Sequence, residues 1–439
     1  MTLVQPKILI LHDYFLYKGG GERLVISLAK NLGADVATAF IAKDAFDPRE
    51  HGIKTIELYK EKPWSRVPGF RYLQVQLSFL FKTKFVRNYD VVIYSGDCLV
   101  AVIRALGWRG LWRTSETSPQ PSPLRWGGGP ITPPPPQGRR QEEDSHHLRN
   151  IAYMHSPPRH LYDLYKERLA AYPWWKKIIF VPFVWFNRWR FEWLCRKLDT
   201  IVTNSENTRK RIQQYLGLDS VVVYPPCDTL VLKNGSETSP QPSPLRWGGG
   251  PITPPPPQGR RQEEDSSPVH PYFFSWARLY DVKRVPMIVE AFIKMPDKQL
   301  IVASGGPDLE KIQKMAAGHS NIKILGWIND EQLIEYLGKC LATIYIPMQE
   351  DFGMTAVESM QAGKPVIGVA EGGLLEIIED NKNGLMLESN FTVDDLCAAV
   401  QSLTPDRASV MESVCEETAK KFSEKSFIEG MKKVIEGVC

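Results

Sequence analysis

The chain has 439 residues, of which 43% are hydrophobic and 24% are charged, an ordinary globular composition that allows two or three domains. A formal net charge of only +4 argues against nucleic acid as a main partner. The seven cysteines include no C-x-x-C pair, which indicates neither a zinc site nor a disulfide framework. No segment resembles a signal peptide and no apolar run approaches the ~20 residues of a membrane span, so we expect a cytoplasmic protein.

The first predicted unit is a strand, a glycine loop and a helix. The strand covers residues 7–11, and Gly19, Gly20 and Gly21 precede a helical stretch at 23–32. Glycines at a helix start let the backbone approach an anionic ligand, which the unpaired N–H groups there attract. Taken alone this loop is weak evidence for a site, because it lacks the G-x-G-x-x-G spacing of dinucleotide-binding proteins.

Strands and helix-like segments then alternate along the first half of the chain. This alternation predicts a parallel, doubly wound sheet. His155 follows one of these strands, and a lone histidine in that position is most often structural. The further predicted strands of this half lie at 36–41, 53–58, 90–95, 151–154, 200–204 and 221–228.

An aromatic and basic segment at 172–197 interrupts this pattern. It contains ten aromatic residues and six Lys or Arg, against one Glu. Tryptophan and tyrosine favour the membrane interface and cations favour anionic headgroups, so the segment predicts a peripheral membrane-docking surface. A helix packed inside the domain, with its basic residues on the wet face, explains the composition equally well.

A perfect internal repeat of 31 residues occurs at Ser115 to Ser145 and again at Ser236 to Ser266. Two copies separated by globular sequence are not a solenoid. Each copy is rich in proline and glycine and has almost no aliphatic residues, so it cannot bury enough apolar surface to fold. We expect two disordered insertions, with polyproline ligands for a partner as the less favoured alternative. We also expect domain boundaries at 1–230 and 268–439, joined by a linker at 231–267.

The second half delivers two cations and two carboxylates to predicted strand ends. Arg278 and Lys283 follow the strand that starts at Tyr272, and cations there suit a diphosphate. Glu350 follows an apolar run at 342–347, and Glu358 lies two turns into the next helix. Ligands of open α/β sheets bind beyond the carboxyl ends of the strands, so these residues predict a ligand that carries both phosphates and hydroxyls.

The run EDFGMTAVESMQAGKPV, residues 350–366, resembles the E-x7-E signature of retaining group 1 glycosyltransferases (family 4), which have the GT-B fold of two Rossmann-like domains facing a cleft. The spacing of Arg278 and Lys283 resembles the R-x4-K pair of that family. The run H-S-P-P-R-x-x-x-D at 155–163 is similar to a segment of bacterial O-antigen and exopolysaccharide mannosyltransferases. The helical tail beyond 391 is of the kind that often crosses back onto the first domain in GT-B enzymes.

The resemblance implies a hexosyltransferase that uses a nucleotide sugar, with GDP-mannose favoured, and needs no metal and no cofactor. It implies a saccharide or polyisoprenyl-linked acceptor and a role in surface polysaccharide or lipopolysaccharide synthesis at the inner face of the membrane. The implied catalytic residues are His155, Arg278, Lys283 and Glu350, and the implied donor-binding residues are Gly20, Gly21, Phe352, Gly353, Met354 and Glu358.

Three other functions stay open at this stage. The donor could be a UDP-sugar, so that the enzyme would transfer glucose or galactose. The same fold could serve another sugar-nucleotide enzyme, such as an epimerase or a phosphorylase. The two insertions are also what a decaying gene would tolerate, so the chain could be an inactivated homologue.

Overall fold

A computed structural model describes residues 6–16, 19–43, 45–62, 65, 67–110, 148–227 and 271–437. Its architecture is two parallel β-sheets, each flanked by helices, which confirms the predicted α/β class with two sheet domains. Both copies of the repeat lie outside the described residues, and their predicted disorder stays a prediction.

The first sheet has seven strands, and each neighbouring pair is parallel. Its strands are β1 (Ile8–His12), β2 (Asp35–Thr38), β3 (Thr55–Glu57), β4 (Val91–Ser95), β5 (Arg149–Met154), β6 (Thr200–Thr203) and β7 (Val221–Val222). The helices along this half are α1 (Gly20–Leu32), α2 (Pro68–Lys82), α3 (Val102–Gly110), α4 (Tyr165–Ala171), α5 (Trp174–Cys195) and α6 (Glu206–Leu216). The strand order is β3-β2-β1-β4-β5-β6-β7, so the order reverses between β1 and β4.

The second sheet has six parallel strands in the order 10-9-8-11-12-13 of their numbers along the chain. These are β8 (Tyr272–Ser275), β9 (Gln299–Ala303), β10 (Ile322–Gly326), β11 (Ala342–Ile344), β12 (Val366–Val369) and β13 (Gly384–Leu387). Its helices are α7 (Val285–Ile293), α8 (Leu309–Ala316), α9 (Asp330–Lys339), α10 (Met354–Gln361), α11 (Val393–Ser402) and α12 (Pro405–Lys420), and the chain then continues into α13 (Glu424–Glu436).

The central strands are buried along their whole length because helices cover both faces of each sheet. Strand β1 is buried at every position, and β12 is too. Strand β11 is shorter than the predicted run 342–347. It ends at Ile344, three residues before Pro347, which has no N–H to offer a strand ladder. Helix α8 starts at Leu309, three residues after Gly306, where φ is 155°.

The last helix, α13, packs on the first sheet rather than on the second. Phe427 and Met431 are fully buried in one core cluster with Ile10 of β1 and Leu24 of α1. The hydroxyl of Ser27 also donates a hydrogen bond of 2.5 Å to Glu424. The end of the described chain therefore ties the two sheets together.

Candidate functional site

The loops that leave β8, β11 and β12 meet at one edge of the second sheet. Parallel neighbours place the carboxyl ends of all three strands at that edge. The backbone N–H of Met348, after β11, donates to the carbonyl of Val282, after β8, over 2.8 Å. The predicted cations and carboxylates are therefore brought together by the topology.

Lys283 is the centre of this cluster. Its Nζ lies 2.5 Å from Oε2 of Glu350 and 2.9 Å from the hydroxyl of Tyr345. The side chains of Lys283 and Glu350 are 20% and 22% exposed, so the pair is shielded from bulk water but open to a ligand. An ammonium group has three N–H donors, and these two partners use two of them.

Tyr345 was not predicted from the sequence, although it lies in the strand run before Glu350. Its side chain is buried, and burial followed by the charge of Glu350 raises the pKa of its hydroxyl well above the ordinary value. The phenol is therefore neutral and keeps a proton to donate. Glu358 contributes to the same rise in pKa from the second turn of α10.

Two glycines after β12 support the Glu350 loop. The N–H of Gly373 donates to the carbonyl of Glu350 over 2.8 Å. A side chain at Gly372 would place its Cβ 2.1 Å from that carbonyl oxygen, and Gly372 has φ +61°. Only glycine allows the two loops to approach so closely.

Replacing Gly372 with alanine is expected to lower the free energy of unfolding by about 2 kcal/mol, because the left-handed backbone and the collision with Glu350 both disfavour a Cβ. Urea denaturation measures the change. Gly217→Ala is the matched control, since Gly217 has φ +63° but open space around it, and it should cost only about 1 kcal/mol. Equal losses for the two variants would contradict the packing argument.

Glu371 is a second residue that the sequence analysis missed. It accepts hydrogen bonds from Arg284 over 2.8 Å and from the backbone N–H of Gln349 over 2.9 Å. Both of these residues have left-handed backbones, with φ 53° and 44°. Strained non-glycine residues persist only where their surroundings hold them, and they cluster at functional sites.

The predicted donor residues of the α10 turn have different surroundings. The ring of Phe352 is buried against Tyr224 and Phe422, at centroid distances of 5.7 and 5.3 Å, so only its backbone is free to serve a ligand. Gly353 caps α10 with φ 114°. Met354 begins the helix and lies within reach of the first domain.

The start of α1 faces the start of α10 across the gap between the sheets. A Cβ built on Gly20 would lie 2.9 Å from Sδ of Met354, and one on Gly21 would lie 3.8 Å from Nε2 of His155. Arg278 is exposed. Burial raises the pKa of Glu22, and the positive charge of Arg278 partly offsets this rise. The structure thus brings the predicted residues of both domains to one cleft.

His155 is half-buried, and its buried Nε2 has no hydrogen-bond partner among the described residues. Burial, followed by repulsion from His12, lowers the pKa of His155 to about 4. The imidazole is therefore neutral at physiological pH and offers one ring nitrogen to the cleft.

Acid is expected to destabilise the fold through His155. The unfolded histidine takes up a proton near its usual pKa of 6.5 and the folded one only near 4, so its contribution is complete above pH 6.5 and is lost as pH falls towards 4. When the pH falls from roughly 7 to 4.5, the free energy of unfolding should decrease by about 2 kcal/mol less in His155→Asn than in the parent protein. Urea titrations at both pH values measure this. The exposed His51→Asn serves as control, and an unchanged acid response of His155→Asn would refute the assignment.

Two carboxylates on the first-domain wall were also missed as site residues. Asp13 follows β1 and accepts the N–H of Tyr14 over 2.9 Å, and burial raises its pKa to about 6. Asp97 follows β4, its side chain is exposed, and its backbone N–H donates to Asp13 over 3.4 Å. The signal available in the sequence was their position directly after two strands at the point where the strand order reverses.

Comparison with solved structures identifies this architecture. A structure of Anabaena Alr3699/HepE, in complex with UDP and glucose, superposes with a TM-score of 0.62 over 98% of this chain and 99% of that one, at 16% identity. The chain has the GT-B fold.

Sequence comparisons match part of the chain. Residues 260–426 match the family model of the group 1 glycosyl transferases, as the motifs predicted. The uncharacterized glycosyltransferase MJ1178 of Methanocaldococcus jannaschii is 32% identical over 35% of this chain and 44% of its own length. The alpha-1,3/1,6-mannosyltransferase ALG2 of Dictyostelium discoideum is 44% identical over 18% of each chain. The chain thus spans less than half the length of these relatives.

Contacts across the GT-B cleft hold the Glu350 loop from the first domain. Arg211 of α6 donates to the carboxylate of Asp351, and over 2.9 Å to Asp163. The hydroxyl of Ser205, the N-cap of α6, donates to the carbonyl of Asp351 over 2.6 Å. The predicted motif at 155–163 therefore reaches the E-x7-E loop through Arg211.

Glu376 makes a second bridge between the GT-B domains. Its carboxylate accepts the backbone N–H groups of Glu206 and Asn207, at 2.8 and 2.7 Å, and the hydroxyl of Tyr224 at 3.1 Å. A carboxylate is favoured there because the first N–H groups of a helix are otherwise unpaired. A residue of the second domain thus caps a helix of the first.

Within the described ranges, no group of three or more His, Cys, Asp or Glu side chains is placed to hold a metal ion. The prediction that the chain uses no metal and no cofactor stays a prediction.

Proposed function

We propose that the chain is a glycosyltransferase that moves a hexose from a nucleoside diphosphate sugar to a saccharide or lipid-linked acceptor, with retention of configuration. The observation that carries the proposal is the Lys283, Glu350 and Tyr345 cluster. It lies at the carboxyl edge of the second sheet and opposes the glycine start of α1 and the unpaired nitrogen of His155.

The departing group in this reaction is a nucleoside diphosphate, whose negative charge grows as the glycosidic bond breaks. Lys283 and Arg278 would meet this charge, and the third N–H of Lys283 would donate to a phosphate oxygen. The unpaired N–H groups at the start of α10 add a positive dipole, while Gly20 and Gly21 leave room for the phosphates. These groups supply the charge that a metal supplies elsewhere, so we propose a metal-independent reaction.

The sugar and the ribose would be held by hydroxyl-binding groups. Glu350 and the backbone N–H groups of Phe352 and Gly353 would orient the sugar hydroxyls, with Met354 at the same helix start. Glu358 would bind the ribose, and His155 would line the sugar pocket. No carboxylate is assigned as a covalent nucleophile, so the acceptor would attack the anomeric carbon from the face that the phosphate leaves.

Mannose from GDP-mannose is the favoured donor sugar. The similarity of residues 155–163 to bacterial mannosyltransferases supports it, as does the local match to a mannosyltransferase. A UDP-sugar is the alternative, because a structural neighbour was crystallised with UDP and glucose. In this proposal, residues 1–230 bind the acceptor, residues 268–439 bind the donor, and residues 231–267 link the two domains. The product belongs to a surface polysaccharide or lipopolysaccharide, and residues 172–197 contact the membrane.

Nucleotide release from a panel of GDP-, UDP- and ADP-sugars tests the proposal, with and without membrane extract and with a chelator added. We expect release from one donor, unaffected by the chelator and abolished in Glu350→Ala. Release of an epimerised sugar nucleotide instead would identify another GT-B enzyme. Folded protein that neither releases nor binds any of these nucleotides would identify an inactivated homologue and overturn the proposal.

A further inference from the structure

Helices α2 and α5 form a pair with its polar groups inside. The hydroxyl of Tyr72 donates to Asn187 over 2.8 Å, and Arg190 donates to Gln76 over 2.7 Å. Asn187 and Gln76 are buried in this seam. Because polar side chains of the two helices hydrogen-bond to each other in the seam, the exposed apolar side chains of both helices lie outside it.

The outward side of α2 is an apolar stripe. Its members recur at intervals of three and four residues, which places them on one face of the helix. They are Phe70, Leu73, Leu77 and Phe81, and their exposed fractions are 66%, 55%, 45% and 58%. Together with Lys82 they line a groove of about 430 Å³.

Helix α5 continues the exposed apolar surface with larger rings. Its members expose from 41% to 74% of their surface, and four of them are tryptophans. They are Trp174, Trp175, Ile178, Val181, Phe183, Trp185, Phe186 and Trp189. No described element covers them, and contiguous apolar surface of this kind marks an interaction site. Of the two explanations of residues 172–197, this favours a docking surface over a packed helix.

The charge of these two helices is mostly positive. Helices α2 and α5 together contain six Lys or Arg and one Glu. Several cations lie beside the exposed rings, such as Lys176 at 5.1 Å from the ring centroid of Trp175 and Arg104 at 5.8 Å from that of Phe81. Interleaved tryptophan and cations are typical of the interface of a bilayer with anionic lipids, whereas protein interfaces are depleted in lysine.

Among the residues that the structure describes, no helix is both long and apolar enough to cross a membrane. We propose that the outer faces of α2 and α5 together form a docking surface that lies in the headgroup region of an anionic phospholipid bilayer.

The docking surface adjoins the candidate active site. Gln76, in the polar seam, donates to the carbonyl of Asp97 over 2.6 Å, and the backbone N–H of Asp97 donates in turn to Asp13 of the candidate site over 3.4 Å. A lipid-linked saccharide could therefore keep its chain in the bilayer while its sugar enters the cleft. This last step rests on the proposed transferase activity, whereas the docking surface rests on the exposed side chains of α2 and α5 alone.

Vesicle sedimentation with the full chain tests the docking surface. Phosphatidylcholine vesicles are compared with vesicles in which roughly a third of the lipid is phosphatidylglycerol. We expect at least about tenfold tighter binding to the anionic vesicles, weakened by added salt. No sedimentation with the anionic vesicles, or equal sedimentation with both kinds, would overturn the proposal.

Paired variants locate the contact. Phe70→Ser with Leu77→Ser on α2, and separately Trp174→Ser with Trp185→Ser on α5, should each weaken binding by about tenfold. Val410→Ser, which alters an apolar side chain of α12 that is 78% exposed, should have no effect. Binding that survives either pair unchanged would remove that helix from the surface.

Charge reversal gives an independent result. Lys176→Glu with Lys177→Glu should weaken binding by about tenfold, while Lys420→Glu with Lys421→Glu, on the far domain, should not. Circular dichroism verifies that each variant is folded. Quenching of tryptophan fluorescence by brominated lipid checks the same contact in the unmodified protein. If light scattering instead reveals a dimer that the α2 pair dissociates, a second copy covers the surface and the proposal fails.

The two proposals fail in different ways. Nucleotide release in the absence of vesicles reports the transferase alone. Vesicle binding without nucleotide release would leave the docking surface in place and remove only the lipid-linked acceptor. Nucleotide release without vesicle binding would overturn the docking surface and leave the transferase activity in place.

Discussion

Replacing Lys283 with alanine is expected to lower the rate of nucleotide release from the sugar donor by about 10²-fold or more. The ammonium group lies between Glu350 and Tyr345 at the strand edge where the diphosphate would bind. Its loss removes a fixed cation at the point where negative charge develops, and it leaves the half-buried carboxylate of Glu350 without its cation. Single-turnover release of nucleotide from the donor found active in the panel measures the effect.

Lys294→Ala is the matched control for this experiment. Lys294 belongs to the same domain and pairs with Asp394 over 2.7 Å, but both side chains are exposed. It should release nucleotide at the parent rate, and Lys283→Arg should recover part of the activity because it keeps the charge. If Lys283→Ala retained activity within a few-fold of Lys294→Ala, the assignment of Lys283 to the leaving group would be wrong.

The fold and the clustering of the second-domain candidate residues could be predicted because their signals are local. Apolar runs alternating with helical periods indicate parallel sheets, and such sheets align their carboxyl ends. Glu350 and Lys283 are far apart in sequence, yet each follows a strand, so the topology alone brings them together. The exposed face of α2 was missed for a related reason, since its pattern of apolar residues is also that of a buried helix.

The bridge between the domains could not be predicted in this way. Arg211 lies on a predicted helix among other charged residues, and nothing in its local pattern distinguishes it from its neighbour Arg209. Which of them is buried depends on how the two sheets meet, and that depends on long-range packing rather than on periodicity. Glu371 and Glu376 were missed for the same reason, because each is defined by a partner on another loop or domain.

Arg211→Ala is accordingly expected to lower the free energy of unfolding by about 3 kcal/mol, because removing one member of a largely buried ion pair leaves the other charge uncompensated. The Arg211 side chain is 12% exposed and contacts both Asp163 and Asp351. Asp351 adjoins Glu350, so donor affinity should fall as well. Urea denaturation and donor binding by calorimetry measure the two effects.

Arg209→Ala supplies the matched control on the same helix. Its guanidinium is 42% exposed and pairs with Glu206 and Asp219 at the surface, so its removal should change stability by less than about 1 kcal/mol. A double-mutant cycle of Arg211→Ala with Asp351→Asn isolates the contact between the domains. A coupling energy near zero would show that Arg211 acts within the first domain alone. In that case Arg211→Ala should leave the donor affinity unchanged.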